Sequence, residues 1–311
     1  MALPGKIAMD QIFGNISILT AAPILNIGLL IDGLLIGAIF ALAAYGLALV
    51  WGVMNVKNLA QGDFIMTGGY VAWYLSRHDV NPLFGVPLAF VILWGIGWVI
   101  YRFVVSKVIR RDLFTSLLAT FGVAICLQQT LNVIFGPDTQ SAQAGLPTWQ
   151  FAGGLISISA ARLIGFVMAG VLAVAVILFM KRSRMGQAIR ATAQDSRAAR
   201  VLGIDTEKVY SFTFCLNAAI CGAAGALVAI VWNVQPFFGT TYSIRLFVIV
   251  TTAGFGNLPG VIAAGFGMGV FEQFGGFLFG AEYQQALIVI LLLMVLAVRQ
   301  IQYMSMRQAV Q

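Results

Sequence analysis

Long apolar stretches alternate with short polar segments along this chain. A helix needs roughly 20 mostly apolar residues to cross about 30 Å of hydrocarbon. Seven nearly uncharged stretches meet this requirement: residues 33–53, 83–104, 113–135, 163–180, 210–232, 259–280 and 283–298. The pattern therefore predicts seven membrane-spanning helices.

Three further apolar stretches are ambiguous. Residues 64–75 and 244–256 are rich in Gly and Thr and too short to cross as simple helices, so they are either interrupted elements beside a pathway or short buried helices. Residues 16–31 either span or lie along the interface, since Pro23 and Asn26 interrupt them and Asp32 closes them. We therefore expect an all-α polytopic membrane protein of about eight transmembrane helices (8–10) in one domain over residues 1–311.

Composition supports this class. The chain has 311 residues, of which 60% are apolar and only 9% charged, whereas a soluble domain carries about 25% charged residues. The apolar content excludes disorder, and three cysteines exclude a disulfide scaffold. Residues 1–10 contain only Lys6 as a basic residue and no cleavage site follows, so we expect no cleavable signal peptide.

The net charge of +7 would suit nucleic acid only if the basic residues formed a stripe, and they do not. They fall instead in two clusters: Arg102, Lys107, Arg110 and Arg111, and a larger group within residues 181–208. Lys and Arg mark cytoplasmic loops. The intervening loop, residues 136–161, has Asp138 but no Lys or Arg, as an outer loop should, and Arg299 and Arg307 return to the cytoplasm.

Residues 181–208 hold ten of the 29 charges and form the one long stretch suited to water. Met185, Ala188, Ile189, Ala198, Val201 and Leu202 recur at helical spacing. Gly203 offers a helix stop and Asp205 a cap for the next helix. The pattern predicts a short amphipathic cytoplasmic helix, which either enforces topology, lies on anionic headgroups or docks to a partner.

Specific residues of this loop resemble a known family. The run from Ser183 to Ala191, followed by Ala198-Ala199 and Leu202-Gly203-Ile204, is similar to the coupling loop of LivH-type permeases of branched-chain amino acid ABC importers. Arg197-Ala198-Ala199 and Gly203 resemble the EAA-and-glycine spacing of importer permeases, with Arg in place of Glu.

Two other segments extend the resemblance over most of residues 30–298. Residues 58–70, with Asn58-Leu59-Ala60-Gln61-Gly62-Asp63-Phe64, are similar to the family's Asn-Phe-Ala-His-Gly-Glu-Phe segment, with Gln61 in place of His. Residues 253–260, followed by Gly265 and Gly269, resemble its glycine-rich stretch. The Pro-x-Gly usual after the last helix is absent, and residues 299–311 stand in its place.

The resemblance implies a permease subunit of an ATP-driven importer in the bacterial inner membrane, forming half of a pathway for branched-chain or other hydrophobic amino acids. It implies a homologous second permease (LivM-like), two ATP-binding subunits and a periplasmic binding protein as partners. The implied coupling residues are Arg184, Met185, Gly186, Arg190, Arg197, Ala198, Ala199 and Gly203. Relatives also carry urea, amides and small organic acids, so these cargoes stay open, as does an ion-coupled secondary transporter.

The candidate pathway residues combine the glycine-rich segments with ionisable groups inside the membrane, where a charge is costly. They are Gln61, Gly62, Asp63, Phe64, Gly68, Gly69, Gly254, Gly256 and Glu272. Asp63 is predicted to cap a helix and meet Lys57, with substrate contact as the alternative. Asp32 and Arg245 sit at segment ends, which predicts interfacial positions. Glu272 either lines the pathway or bonds to a neighbouring helix.

The sequence also narrows the chemistry. It contains no Gly-x-x-x-x-Gly-Lys-Ser/Thr phosphate loop, so we expect no enzymatic activity in this chain and ATP and Mg²⁺ on partner subunits. Cys126, Cys215 and Cys221 lie in apolar segments without metal-ligand spacing, and His78 lies in a polar loop, so we expect neither a metal site nor a cofactor.

Overall fold

A computed structural model describes residues 14–109, 111, 113–142, 145–151, 156–254 and 256–308. The predictions for Lys6, Arg110 and the side chain of Arg307 lie outside the described residues and side chains. Within them, seven helices are long and apolar enough to cross a membrane, and they coincide with the seven predicted spans.

Eleven helices are labelled here in chain order. They are α1 (Pro23–Met54), α2 (Gln61–Arg77), α3 (Pro82–Val108), α4 (Leu113–Phe135), α5 (Ala160–Arg182), α6 (Arg184–Gln194), α7 (Ser196–Val201), α8 (Thr206–Val231), α9 (Gly239–Ala253), α10 (Leu258–Phe279) and α11 (Gln284–Gln308). An antiparallel hairpin of β1 (Thr148–Phe151) and β2 (Ile156–Ser159) precedes α5 and pairs Thr148 with Ser159.

The amino-terminal boundary differs from the prediction. Residues 14–21 are helical, the chain breaks at Ala22, and Pro23 starts α1 rather than interrupting a span. Proline is well suited to this position because it has no amide hydrogen to leave unpaired. Asp32 therefore lies inside α1 instead of closing a segment, and it pairs with Arg162 of α5 at 2.7 Å.

The central helix is α8. Of its most apolar 18-residue stretch, 89% is buried, whereas only 6% of the corresponding stretch of α11 is buried. Glycines allow the neighbours of α8 to approach closely. A methyl group at Gly68 of α2 would overlap the backbone of Gly222, and one at Gly225 would overlap the backbone of Ile65. Small residues at 222–225 thus let the helices pack closely, as is common between membrane helices. Gly265 of α10 likewise packs directly against α1.

Residues 64–75 lie within α2 and residues 244–253 within α9, so the alternative of short buried helices is correct for these parts of the two short segments. Gln61, the first residue of α2, bonds to Asn217 near the middle of α8, and Gly239, the first residue of α9, packs against Asp63. From this common depth α2 runs toward the end of the bundle that holds Arg162. The other helix, α9, runs toward the end that holds α6 and α7. Their lengths of 17 and 15 residues correspond to about 25 and 22 Å.

Candidate functional site: a basic two-helix segment and intramembrane polar clusters

Residues 183–205 form two short helices, where the sequence pattern predicted one. Ser183 starts α6 by accepting a hydrogen bond from the Gly186 amide at 2.8 Å. Asp195 ends α6 and caps α7, accepting from the amides of Arg197 at 2.7 Å and Ala198 at 3.1 Å. These backbone hydrogen bonds lower the pKa of the Asp195 carboxyl, that from Ala198 contributing most. A carboxylate accepting amides in this way competes with helix continuation and explains the break.

The end of the segment has the predicted helix stop and the predicted cap for the next helix. Gly203 has a φ of 85°, a left-handed conformation that ends the helix. Asp205 caps α8, accepting from the Lys208 amide at 3.2 Å, and this bond lowers the pKa of its carboxyl. Both ends of the two-helix segment are therefore fixed by local hydrogen bonding.

Two of the predicted coupling residues attach α6 to the membrane helix before it. Gly186 lies so close to the Met180 backbone that a methyl group there would collide with it. Arg190 donates from Nη1 to the Met180 carbonyl at 2.7 Å, pairing one of the last carbonyls of α5. Ile189 is buried against the core. The segment is therefore bonded rigidly to the end of α5.

The outer surface of the segment differs from the prediction. Val201 is 87% exposed and Leu202 80% exposed, although helical spacing placed them on the buried face. The Asp195 break turns α7 so that Ala199 is buried instead. The remaining predicted coupling residues divide into the half-buried Met185 and the exposed Arg184, Arg197, Ala198 and Gly203. Two adjacent apolar side chains thus face outward among basic residues.

A polar cluster lies at the start of α2, in the middle of the bundle. Gln61 donates to Asn217 Oδ1 at 2.7 Å, and Asn217 donates back to Gln61 Oε1 at 3.0 Å. Asn58 donates to the same Gln61 oxygen at 3.2 Å, and all three side chains are fully buried. Gln61 and Asn217 thus join α2 to α8 by side-chain hydrogen bonds.

The prediction for Asp63 is wrong in its contacts. Asp63 lies in the first turn of α2 without capping it, and its Oδ1 accepts from Gln128 of α4 at 2.9 Å. Lys57 lies 5.4 Å from the Trp51 ring instead. The carboxylate is 1% exposed and sits where the first turns of α2 and α9 meet, with Gly62 and Gly239 in backbone contact. The positive ends of two helix dipoles therefore surround a buried carboxylate.

The candidate pathway residues fall in three separate places. Gln61, Gly62, Asp63 and Phe64 belong to the central junction, where Phe64 is fully buried against Phe214, and Gly68 and Gly69 pack against α8 and its following loop. Gly254 and Gly256, with φ of 91° and 80°, form the turn after α9. Glu272 lies apart from both groups, toward the end of α10.

Glu272 bonds to a neighbouring helix and also lines a cavity. Arg245 donates from Nη2 to Glu272 Oε1 at 2.6 Å, with the side chains 13% and 8% exposed. Arg245 therefore lies near the middle of α9 in a buried ion pair, which corrects its predicted interfacial position. The adjoining cavity, of about 440 Å³, also contains Arg162, Trp232 and Tyr242 in its wall. Sequence reasoning missed Arg162, although a lone Arg beside an apolar span signals a partner inside the membrane.

Comparison with known proteins identifies the family to which this sequence belongs. The sequence model for the permease component of branched-chain amino acid transport systems matches residues 29–298. The chain belongs to this family. The match covers the short helices α2 and α9, the two-helix segment α6–α7 and the spans α3, α4, α5, α8 and α10.

Curated members of this permease family align over most of their length. The high-affinity branched-chain amino acid permease BraD of Pseudomonas aeruginosa is 29% identical over 87% of this chain and 92% of its own. LivH of Salmonella typhimurium is 29% identical over 86% of this chain and 91% of its own. A probable LivH of Methanocaldococcus jannaschii is 27% identical over 76% of each chain.

Proposed function

We propose that this chain is the permease subunit of an ATP-driven importer for branched-chain or other hydrophobic amino acids in the bacterial inner membrane. The family match over residues 29–298 and the names of the aligned relatives support this cargo. A second homologous permease, two ATP-binding subunits and a periplasmic binding protein complete the proposed assembly. The basic segment α6–α7 then faces the cytoplasm, and the β1–β2 hairpin lies on the opposite side.

The observation that carries the proposal is the construction of the α6–α7 segment. Its inner side is bonded to α5 through Gly186 and Arg190, while Val201 and Leu202 project outward. Two adjacent exposed apolar side chains among basic residues suit a docking partner that covers them. Because the segment is held by backbone hydrogen bonds, a push from an ATP-binding subunit passes into α5 and α8 as rigid-body motion.

The test is ATP-driven leucine uptake by the assembled transporter in proteoliposomes, comparing the wild-type chain with the double variant Val201→Ser/Leu202→Ser. We expect the double variant to lose the ATP-binding subunits during purification and to lose uptake. Its melting temperature should stay at the wild-type value, because neither side chain is packed. The matched control is Val80→Ser, which changes a 40% exposed valine in the turn between α2 and α3, outside the spans and away from the segment.

One result would overturn the proposal, and another would overturn the role of the α6–α7 segment in it. The first is leucine uptake by this chain alone under an ion gradient, without ATP-binding subunits, which would indicate a secondary transporter. The second is full uptake by the double variant, which would remove the α6–α7 segment from coupling.

A further inference from the structure

The cavity beside Arg245 and Glu272 lies at the end of the bundle away from α6 and α7. Its mouth is formed by exposed residues that follow α8 and α10, among them Asn233, Glu282 and Gln285. Its floor is formed by buried residues, including Ile36, Tyr242 and Glu272. Glu272 lies seven residues before the end of α10, so the floor is about 10 Å below the mouth.

Charged side chains of both signs line the wall. Two cations, Arg162 and Arg245, and two anions, Glu272 and Glu282, line the cavity. A site for an organic anion would carry excess positive charge, and a site for a neutral solute would need no charge. Arg162 is already paired with Asp32 at 2.7 Å, so the opposite charges at the floor are Arg245 and Glu272. One charge of each sign there suits a ligand that itself carries one charge of each sign.

The buried ion pair at the floor is incompletely satisfied. Arg245 Nε and Glu272 Oε2 are buried and have no hydrogen-bond partner, although Nη2 and Oε1 of the same residues bond to each other. A buried ion pair contributes little net stability because both charges lose their hydration. An ionisable pair inside a membrane with unused donors and acceptors therefore points to a ligand rather than to stability alone.

Apolar and aromatic groups surround these charges. The Tyr242 ring lies 4.9 Å and the Phe40 ring 5.7 Å from the Arg245 guanidinium carbon, which fixes the guanidinium in place. Ile36, Trp232 and Phe238 add apolar surface to the cavity wall. The volume of about 440 Å³ lies in the range of small-molecule pockets.

We propose that this cavity binds the zwitterionic head of an apolar α-amino acid, with its carboxylate on Arg245, its ammonium on Glu272 and its side chain against Ile36 and Trp232. This inference rests on the proposed function and adds a substrate site within the permease. Arginine suits the carboxylate because its fork of donors matches two oxygens. The ligand separates Arg245 from Glu272 and supplies the partners that both side chains lack.

Equilibrium binding of L-leucine to the full chain in mild detergent tests the site, with two competitors. 4-Methylpentanoate lacks the ammonium group, and 3-methylbutylamine lacks the carboxylate. We expect leucine to bind at least about tenfold more tightly than either, since each charged hydrogen bond contributes that factor or more. Equal affinity for leucine and both analogues would overturn the proposal without any variant being needed.

Glu272→Gln separates binding from a structural role. We expect leucine affinity to fall about tenfold while 4-methylpentanoate affinity stays within twofold, because only the ammonium contact is lost. In Arg245→Gln, leucine affinity should likewise fall, whereas the affinity for 3-methylbutylamine should stay within twofold, because only the carboxylate contact is lost. Asp79→Asn, which removes an exposed carboxylate outside the cavity wall, is the control. A purely structural ion pair would weaken all three ligands equally in Glu272→Gln, and this result would overturn the site.

Leucine uptake by cells carrying the wild-type chain, measured in parallel, distinguishes the two proposals. Uptake by wild type combined with unchanged ligand discrimination in Glu272→Gln would refute the cavity site and leave the importer standing. No chain-dependent leucine uptake would refute the importer, and the amino-acid site with it.

Discussion

Replacing Gly225 by alanine tests whether close packing of α2 on α8 holds the central junction together. A methyl group at this position would overlap the Ile65 carbonyl oxygen and come within 2.6 Å of its carbonyl carbon. Carbon atoms pack at about 3.5 Å or more, so α2 must move by about 1 Å. The reciprocal hydrogen bonds between Gln61 and Asn217, now 2.7 and 3.0 Å, would then exceed the length at which hydrogen bonds form.

The expected loss follows from these two effects. Overpacking a well-packed interior costs about 1–3 kcal/mol, and each lost neutral hydrogen bond adds about 0.5–1.5 kcal/mol. One overpacked contact and two lost hydrogen bonds together lower the free energy of unfolding by about 4 kcal/mol. At about 2 °C per kcal/mol for a large domain, the melting temperature should fall by about 8 °C.

Thermal unfolding of the purified chain in detergent measures this shift. Gly122→Ala is the matched control, because Gly122 is also a helical glycine but has open space around its Cα. There alanine should leave stability unchanged or raise it by about 0.5–1 kcal/mol through helix propensity. The packing argument would be refuted if Gly225→Ala had the wild-type melting temperature. It would also be refuted if Gly122→Ala lowered the melting temperature as much as Gly225→Ala does.

Three further outcomes are expected. Gln128→Ala leaves the Asp63 carboxylate unpartnered and should lower stability by about 1–3 kcal/mol in thermal unfolding, whereas the adjacent Gln129→Ala, on the exposed face of α4, should have no effect. Asp195→Ala should speed hydrogen exchange in α7 at pH 7 and Asp195→Asn should not. Because the folded pKa of Asp195 is lowered, the wild-type cap should persist at pH 5 and be lost only as pH falls through that lowered pKa. Arg190→Gln should free α6 from α5 and let the assembled transporter hydrolyse ATP with little leucine uptake. If the number of leucine molecules transported per ATP hydrolysed stays at the wild-type value, the attachment of α6 through Arg190 is contradicted.

Much of the fold follows from local pattern. The seven spans were predictable because crossing a bilayer requires a continuous apolar run, a property that each segment has by itself. The caps at Asp205 and Gly203 were equally predictable, since they depend on residues within three or four positions. The Asp195 cap depends on amides only two and three positions away, but apolar residues keep helical spacing across it from Ile189 to Ala198, and the break was therefore not predicted.

The partners of the intramembrane polar residues depended on tertiary structure. Sequence spacing identified Asp63 and Glu272 as costly groups but assigned Asp63 to Lys57, its nearest cation along the chain. Packing places Asp63 against Gln128, 65 residues away, and Glu272 against Arg245, 27 residues away. Hydropathy indicates whether a segment lies in the membrane, but it does not indicate which neighbouring helix a given side chain contacts.

The sequence by itself determined the class of protein, the number of long spans and the position of the basic segment, because each is set by local composition and by the cost of placing charge in hydrocarbon. Tertiary structure decided which polar groups meet. It brought the amino ends of α2 and α9 together around Asp63, and it joined Arg245 to Glu272 beside a cavity. These contacts arise between separate helices, and the close approach that glycines allow fixes which side chains face each other.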